Sequence, residues 1–199
     1  MTELSGPATF TELNLASLPF ALDFAYRDED DESGFVAETS GDGEIDLGNG
    51  DGARLSGSGE GDVARIRAAD TQGGSLRRVD FFRWEHRGDN DGDAAIVGLT
   101  DSEGDGPTGW DAIAEEFVVG DSSVSSETEF ETGRHYQLWM LSDDVPGRTT
   151  FVLYHDGEVE VEEIDDTLSE NYENIVYLEN TDVEIRLHAH AWGPLPPEL

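Results

Sequence analysis

Three aspartates, two histidines and a few aromatic residues carry the chemistry this sequence could do. Asp89, Asp91 and Asp93, in the phrase GDNDGD, stand at every second position. At that spacing alternate side chains of a loop can turn toward one calcium ion. A calcium hand would continue with Gly at 94 and Glu at 100, where this chain has Ala94 and Thr100. Asp42, Glu44 and Asp46 repeat the spacing. His188 and His190 are placed to grip a transition metal from one face of an alternating segment, with His86, His135 and His155 as candidate further ligands. Trp110, Trp84 and Tyr154 are candidate platforms for the apolar CH face of a sugar. Trp110 leads because it follows Gly109 in an expected loop, whereas Trp139, inside YQLWML, reads as core. There is no Ser/His/Asp order, no glycine-rich phosphate loop and no nucleotide fingerprint. With zero Cys, disulfides and thiolate metal sites are excluded.

The acidic clusters must be discounted against the whole composition. The 199 residues hold 46 Asp and Glu against 11 cationic residues, all arginine, for a net charge of −35. Such a shell repels phosphate, which argues against DNA, RNA or an anionic membrane as partner. Charge of this size also accompanies disorder, but 36% hydrophobic residues, with 4 Trp and 9 Phe, can build a core. Short carboxylates without any lysine resemble the surfaces of extreme halophiles, haloarchaea above all, where molar salt cuts the Debye length to about 3 Å. No apolar run of 18 or more residues exists, so no membrane insertion is expected. The start MTELSGPATFTELN lacks the pattern of a secretory signal.

The elements that must position these residues are strands. Apolar residues alternate with period 2 over Phe20–Tyr26, Val63–Ala68, Leu76–His86, Ala94–Leu99, His135–Leu141, Thr149–His155, Glu158–Glu163, Ile175–Glu179 and Val183–Trp192. In the last, Val183, Ile185, Leu187, Ala189 and Ala191 share one face, and Glu184, Arg186, His188 and His190 the other. GDGEIDLGNGDG, HRGDNDGD, DSEGDGPTG, SDDVPGR and HDGE read as turns. WDAIAEEFVV, Trp110–Val119, could hold a short helix, and Asp166–Tyr172 a turn of another. Many short strands between turns predict an all-β, antiparallel β-sandwich with at most one or two short helices. It occupies 1–193 as a single domain. The tail WGPLPPEL has three prolines that cannot donate to a ladder, so 194–199 is expected to be an extended arm, with Leu195 and Leu199 docking on another subunit.

RHYQLWMLSDDVPGRTTFVLYHDGEVEV, Arg134–Val161, resembles the paired late strands of concanavalin A-like lectin/glucanase jelly rolls. SLRRVDFFRWEHRGDNDGDAAIVGLTD, Ser75–Asp101, is similar to the hairpin feeding their concave sheet. The resemblance implies a jelly roll. It also implies a place to look for catalysis, because glucanases of this superfamily carry two carboxylates in a Glu-Ile-Asp-x-(x)-Glu phrase. Glu44-Ile45-Asp46-Leu47 copies the first half, then Gly48 and Asn49 stand where the second Glu should come. Glu163-Ile164-Asp165 is followed by Asp166 and Thr167 and lacks it too. Without an acid/base partner no enzyme is expected; no cofactor is expected to be required, and calcium is a candidate ligand of the spaced aspartates. The expected function is a structural or adhesion module with glycan binding. Its expected setting is the virion of a haloarchaeal virus, as a capsid turret, decoration or tail-fibre protein. Its expected partners are further copies of itself, other virion proteins and cell-surface glycans. The alternatives are a host haloarchaeal carbohydrate-binding protein in the cytoplasm and a divergent glycosidase.

Overall fold

The computed structural model describes residues 20–24, 34–47, 52–57, 61–68, 77–128, 130–167 and 172–195. These form thirteen strands: β1 (Phe20–Asp23), β2 (Phe35–Ser40), β3 (Glu44–Asp46), β4 (Ala53–Gly57), β5 (Val63–Ala68), β6 (Arg78–Thr100), β7 (Thr108–Asp111), β8 (Glu116–Val119), β9 (Ser122–Ser125), β10 (His135–Ser142), β11 (Thr149–His155), β12 (Glu158–Ile164) and β13 (Asn174–Pro194). Every pairing is antiparallel. No α-helix appears among the described residues.

Two long strands make the architecture. β6 and β13 pair along nearly their whole length, and each passes from one layer into the other. The first half of β6 and the second half of β13 carry sheet I, in the order β12-β11-β10-β6-β13-β4-β3, with β1 also on β13. Their other halves carry sheet II, where β9, β8 and β7 continue from β6, and β5 and β2 from β13. The layers meet in one apolar core, for example where Phe117 of β8 stacks on Phe151 of β11 at 5.2 Å. The result is an all-β antiparallel sandwich, as the period-2 pattern predicts, with the jelly-roll architecture that the resemblance implies.

The alternation finds β5, β10, β11 and β12 nearly to the residue, but it divides what the fold joins. GDNDGD reads as a turn, yet it is the part of β6 that crosses between layers. There β6 and β13 approach too closely for side chains: a Cβ on Gly88 would stand 2.0 Å from the Asp182 carbonyl oxygen, and one on Gly92 2.3 Å from that of Asn180. Glycine is required by proximity as well as by the positive φ of both. The expected helix at Trp110–Val119 is instead β7, a turn and β8. The Asp111 carboxylate accepts hydrogen bonds from the Ile113 and Ala114 amides (2.9 and 3.1 Å), and Glu115 takes a positive φ, which closes a hairpin before a helix can start.

A bulge also inverts a face. Leu187 opposes Trp84 while Ala189 opposes Arg83, so His188 is an extra residue on β13. Beyond it the parity flips. Val183, Ile185 and Leu187 face the core, but Ala189 and Ala191 face outward, and His190 and Trp192 turn inside. The expected arm also begins later than 194. Pro194 pairs with Arg78, the Leu195 amide donates to the Arg77 carbonyl at 3.3 Å, and Leu195 is buried with Val79, Phe81 and Trp139. Leu199 lies outside the described residues.

Candidate ligand-binding face

Residues directly opposite one another in antiparallel strands project on the same side, so register maps the outer face of sheet I. One row runs Val159 (β12), Tyr154 (β11), Gln137 (β10), Arg83 (β6), Ala189 (β13) and Asp23 (β1). The row beside it runs His135, Glu85, Arg186 and Arg54. On the other side lie Val161, Val152, Trp139, Phe81 and Ala191, whose centre is packed as a second apolar cluster with Leu195. Gln137, Arg83 and His135 are exposed, Tyr154 is partly exposed, and Val159 and Val161 are 50% and 48% exposed. An aromatic ring with open valines beside it thus adjoins an amide, a guanidinium and an imidazole.

The charge here is unlike the rest of the chain. Counting the next row, which holds Arg87 and Glu184, the outward positions of β6, β13 and β4 carry four arginines against two glutamates, with Asp46 and Glu44 of β3 at their edge. Glu85 pairs with Arg87 (2.8 Å) and Arg186 (3.5 Å), and Glu184 with Arg54 (2.8 Å). Arg83 has neither a hydrogen bond nor an ion pair among the described residues. The bulge sets the His188 ring 5.3 Å from His135, with Nε2 unpartnered. Burial, and then the charges of Arg83 and His135, push the His188 imidazole below its ordinary range.

The residues singled out by sequence fare unequally. Tyr154 lies on this face. Trp84 and Trp110 do not: both are fully buried, Trp110 against Phe130 at 3.8 Å and Trp84 against Tyr136 at 5.6 Å, so neither ring offers a surface to a sugar. Trp110 is in no loop, because Gly109 belongs to β7. Asp89, Asp91 and Asp93 ride the crossing segment of β6, all exposed, and Asp93 accepts from the Asn180 amide at 2.7 Å. On an extended strand alternate residues stand about 6.8 Å apart, too far to close on one ion, and among the described residues no three His, Asp or Glu gather to hold one. His188 and His190 are separated by the bulge. His190 is buried in the core, stacked between Phe82 and Trp192, and bonds Asp80 at 3.0 Å. His86 is buried against Asn90 (2.8 Å), and His155 bonds Thr128 (2.9 Å). The Glu-Ile-Asp phrases fall on β3 and the end of β12, opposite edges of sheet I. Six strand spacings separate them by roughly 29 Å, against the roughly 5–9.5 Å between paired glycosidase carboxylates.

Two grooves lie elsewhere. One, about 430 Å³ between β12 and the segment before β10, is lined by Glu127, Glu131, Glu158, Glu160 and Glu162. Its central carboxylate, Glu160, is already held by Ser126, Thr128 and the Glu127 amide. The other, about 770 Å³ on sheet II, has its Glu38 paired with Arg65 and Arg67.

No protein-family model and no curated protein matches the sequence. Solved structures do match the fold. Arcelin-5, a lectin-like defence protein from Phaseolus vulgaris, superposes with a TM-score of 0.58 at 9% identity, covering 87% of this chain and 96% of that one. The metal-free lectin I-B4 from Griffonia simplicifolia gives 0.58 at 12% identity, with 87% and 98% covered. The fold is that of the concanavalin A-like lectins. The exoplasmic/lumenal domain of VIP36, in a form bound to Ca2+ and Man3GlcNAc, gives 0.58 at 12% identity over 89% and 91%. Identities this low speak for the concanavalin A-like architecture alone.

Sequence reasoning misses Arg83, Gln137 and His135 as a group, because they come from strands joined only by tertiary pairing. A signal was present: RRVDFFRWEHR packs four of the chain's 11 arginines into eleven residues.

Proposed function

We propose that this protein is a non-enzymatic glycan-binding adhesion module whose binding surface is the outer face of sheet I. The observation that carries the reading is the row Tyr154, Gln137, Arg83. A saccharide has an apolar CH face bordered by hydroxyls, and this row sets a ring beside donors and acceptors at strand spacing, about 4.8 Å. The lectin architecture supports the same reading. The lack of a second Glu after either Glu-Ile-Asp phrase supports a module without hydrolase activity.

Titration calorimetry in molar KCl against a panel of neutral and acidic oligosaccharides tests it. Saccharide binding is expected, weakened about tenfold, or about 1.4 kcal/mol, by Tyr154→Ala and measurably by Gln137→Ala. Trp110→Phe, a change inside the core, should leave affinity unchanged. Absence of binding across the panel, or binding indifferent to both face variants, overturns the proposal. The setting we propose is the virion of a haloarchaeal virus, with further copies of this chain and other virion proteins as partners. That part rests on the lysine-free acidic composition. Capsid and tail genes beside this one would support it, and metabolic genes would oppose it in favour of a host cytoplasmic protein.

A further inference from the structure

We propose that the ligand of this face is an acidic saccharide, one bearing a carboxylate or a sulfate, and that Arg83 is the residue that binds its anionic group. The inference rests on the glycan reading above and narrows it to a substrate class. Its starting point is an exception. The chain has about four carboxylates for every arginine, and eight other described arginines have one within 3.5 Å. Arg83 has none among the described residues, although it is exposed at the middle of sheet I.

Its surroundings explain why it has no acidic partner among the described residues and what would occupy it. Its cross-strand neighbours are Gln137 and Ala189, an amide and a methyl group, so nothing anionic stands directly opposite, and the first acid along the row, Asp23 on β1, is two strands away. The nearest acid along β6, Glu85, is already divided between Arg87 and Arg186. His135 and His188 border it on the side away from Phe81. The guanidinium is planar, weakly hydrated and always charged, and it offers parallel N–H donors that match the two oxygens of a carboxylate or sulfate. Tyr154, two strands away in the same row, lies about 9.6 Å off at ordinary strand spacing. That distance suits a ligand that stacks one sugar on the ring and brings an acidic group to Arg83.

The overall charge of −35 does not oppose this in brine. With a Debye length of about 3 Å at 1 M salt, the remote carboxylates are screened while contact with Arg83 is not. A ligand anion therefore responds to the local face and not to the net charge.

The experiment uses three oligosaccharides on one backbone in molar KCl: neutral, uronic-acid-bearing and sulfated. Wild type is expected to prefer one or both acidic forms over the neutral one by at least tenfold, and the two acidic arms separate carboxylate from sulfate. Arg83→Gln should abolish the preference, so that acidic and neutral forms bind alike, and Arg83→Lys should retain part of it. Arg134→Gln, paired with Glu131 and Asp156 in a turn, should retain all of it. Circular dichroism in the same salt confirms that each variant is folded. Equal binding of neutral and acidic sugars, or a preference that survives Arg83→Gln, overturns this inference and leaves the glycan reading standing. No binding of any of the three overturns both.

Discussion

Asp80 is completely buried on the inner face of β6, and its charge is tolerated because two partners complete it. Arg78 Nε donates to one carboxylate oxygen at 2.6 Å, and His190 reaches the other at 3.0 Å; Tyr172 bonds the same arginine. Burial works to raise the Asp80 carboxyl, but Arg78 and His190 outweigh it and hold the group below the ordinary carboxylate range. Burial also pushes His190 below its usual 6.5 against the pull of Asp80, and His86 is lowered by burial as well. The imidazoles are thus neutral in the folded protein at pH values where they would charge in the unfolded chain. Folded-state pKa values that are depressed contribute stability above the unfolded value and lose it as pH falls. The thermal midpoint at constant molar salt should therefore be level above about pH 7 and fall below about 6.5. Each group protonated only in the unfolded chain contributes about 1.4 kcal/mol per pH unit. Asp80 adds its own loss in the more acidic range. His190→Gln should reduce the slope between pH 6.5 and 5.5, and a midpoint level down to pH 5 would refute the assignment. Asp80→Ala, which strands a buried guanidinium, should cost about 3–5 kcal/mol at neutral pH.

Period-2 alternation reports where a strand lies and which residues share a face, and it recovers β10, β11 and β12 because they have no irregularity. It cannot report an inserted residue. One bulge at His188 turns Ala189 and Ala191 outward and His190 inward, which dissolves the expected pair of metal-gripping histidines. Nor can it tell a glycine-rich turn from a glycine-rich crossing, since both need the same residue type; Gly88 and Gly92 are demanded by an opposing backbone that only the folded chain supplies. Of the proposed binding face, the sequence singles out Tyr154 as a sugar platform and His135 and His188 only as candidate metal ligands. The face's other members depend on the register of β10, β6 and β13, which sequence proximity does not encode. The same limit applies to the C-terminal tail. The prolines suggest an arm free of its own domain, but a proline can end an edge pairing without donating, and Pro194 does so opposite Arg78. Leu195 then closes over Val79, Phe81 and Trp139. Removing residues 194–199 should lower the thermal midpoint of the monomer, because full burial of Leu195 contributes about 1.5–3 kcal/mol. At about 2–4 °C per kcal/mol for a chain of this size, the loss is roughly 3–12 °C. An unchanged midpoint would return Leu195 to the role of a docking arm.

At the scale of the whole molecule, the arrangement of charge sets the conditions in which the sandwich can exist. Most described arginines are committed to ion pairs, and the 46 carboxylates far outnumber them. The remaining acids repel one another across both layers, and folding gathers them, whereas unfolding lets them separate. The opposing term is the apolar core, with Phe82, Trp84, Trp110, Phe117 and Phe151 fully buried. Its contribution does not vanish on dilution, so the repulsion decides. At 0.1 M salt each charge acts over about 10 Å, far enough to reach several neighbours; at 1 M the range is about 3 Å and neighbours are largely silent to one another. The β-sheet circular dichroism signal should therefore be stable in molar KCl and lost, or melt at a much lower temperature, near 0.1 M. Two further arms separate screening from general stabilisation. Sodium chloride at equal ionic strength should restore the fold as potassium chloride does, because screening depends on ionic strength. Sucrose, which strengthens burial without screening, should restore it only weakly. A thermal midpoint that is the same at both salt concentrations would remove the halophilic reading altogether. Rescue by sucrose as complete as by salt would mean that the core, and not the charge shell, is the weak term.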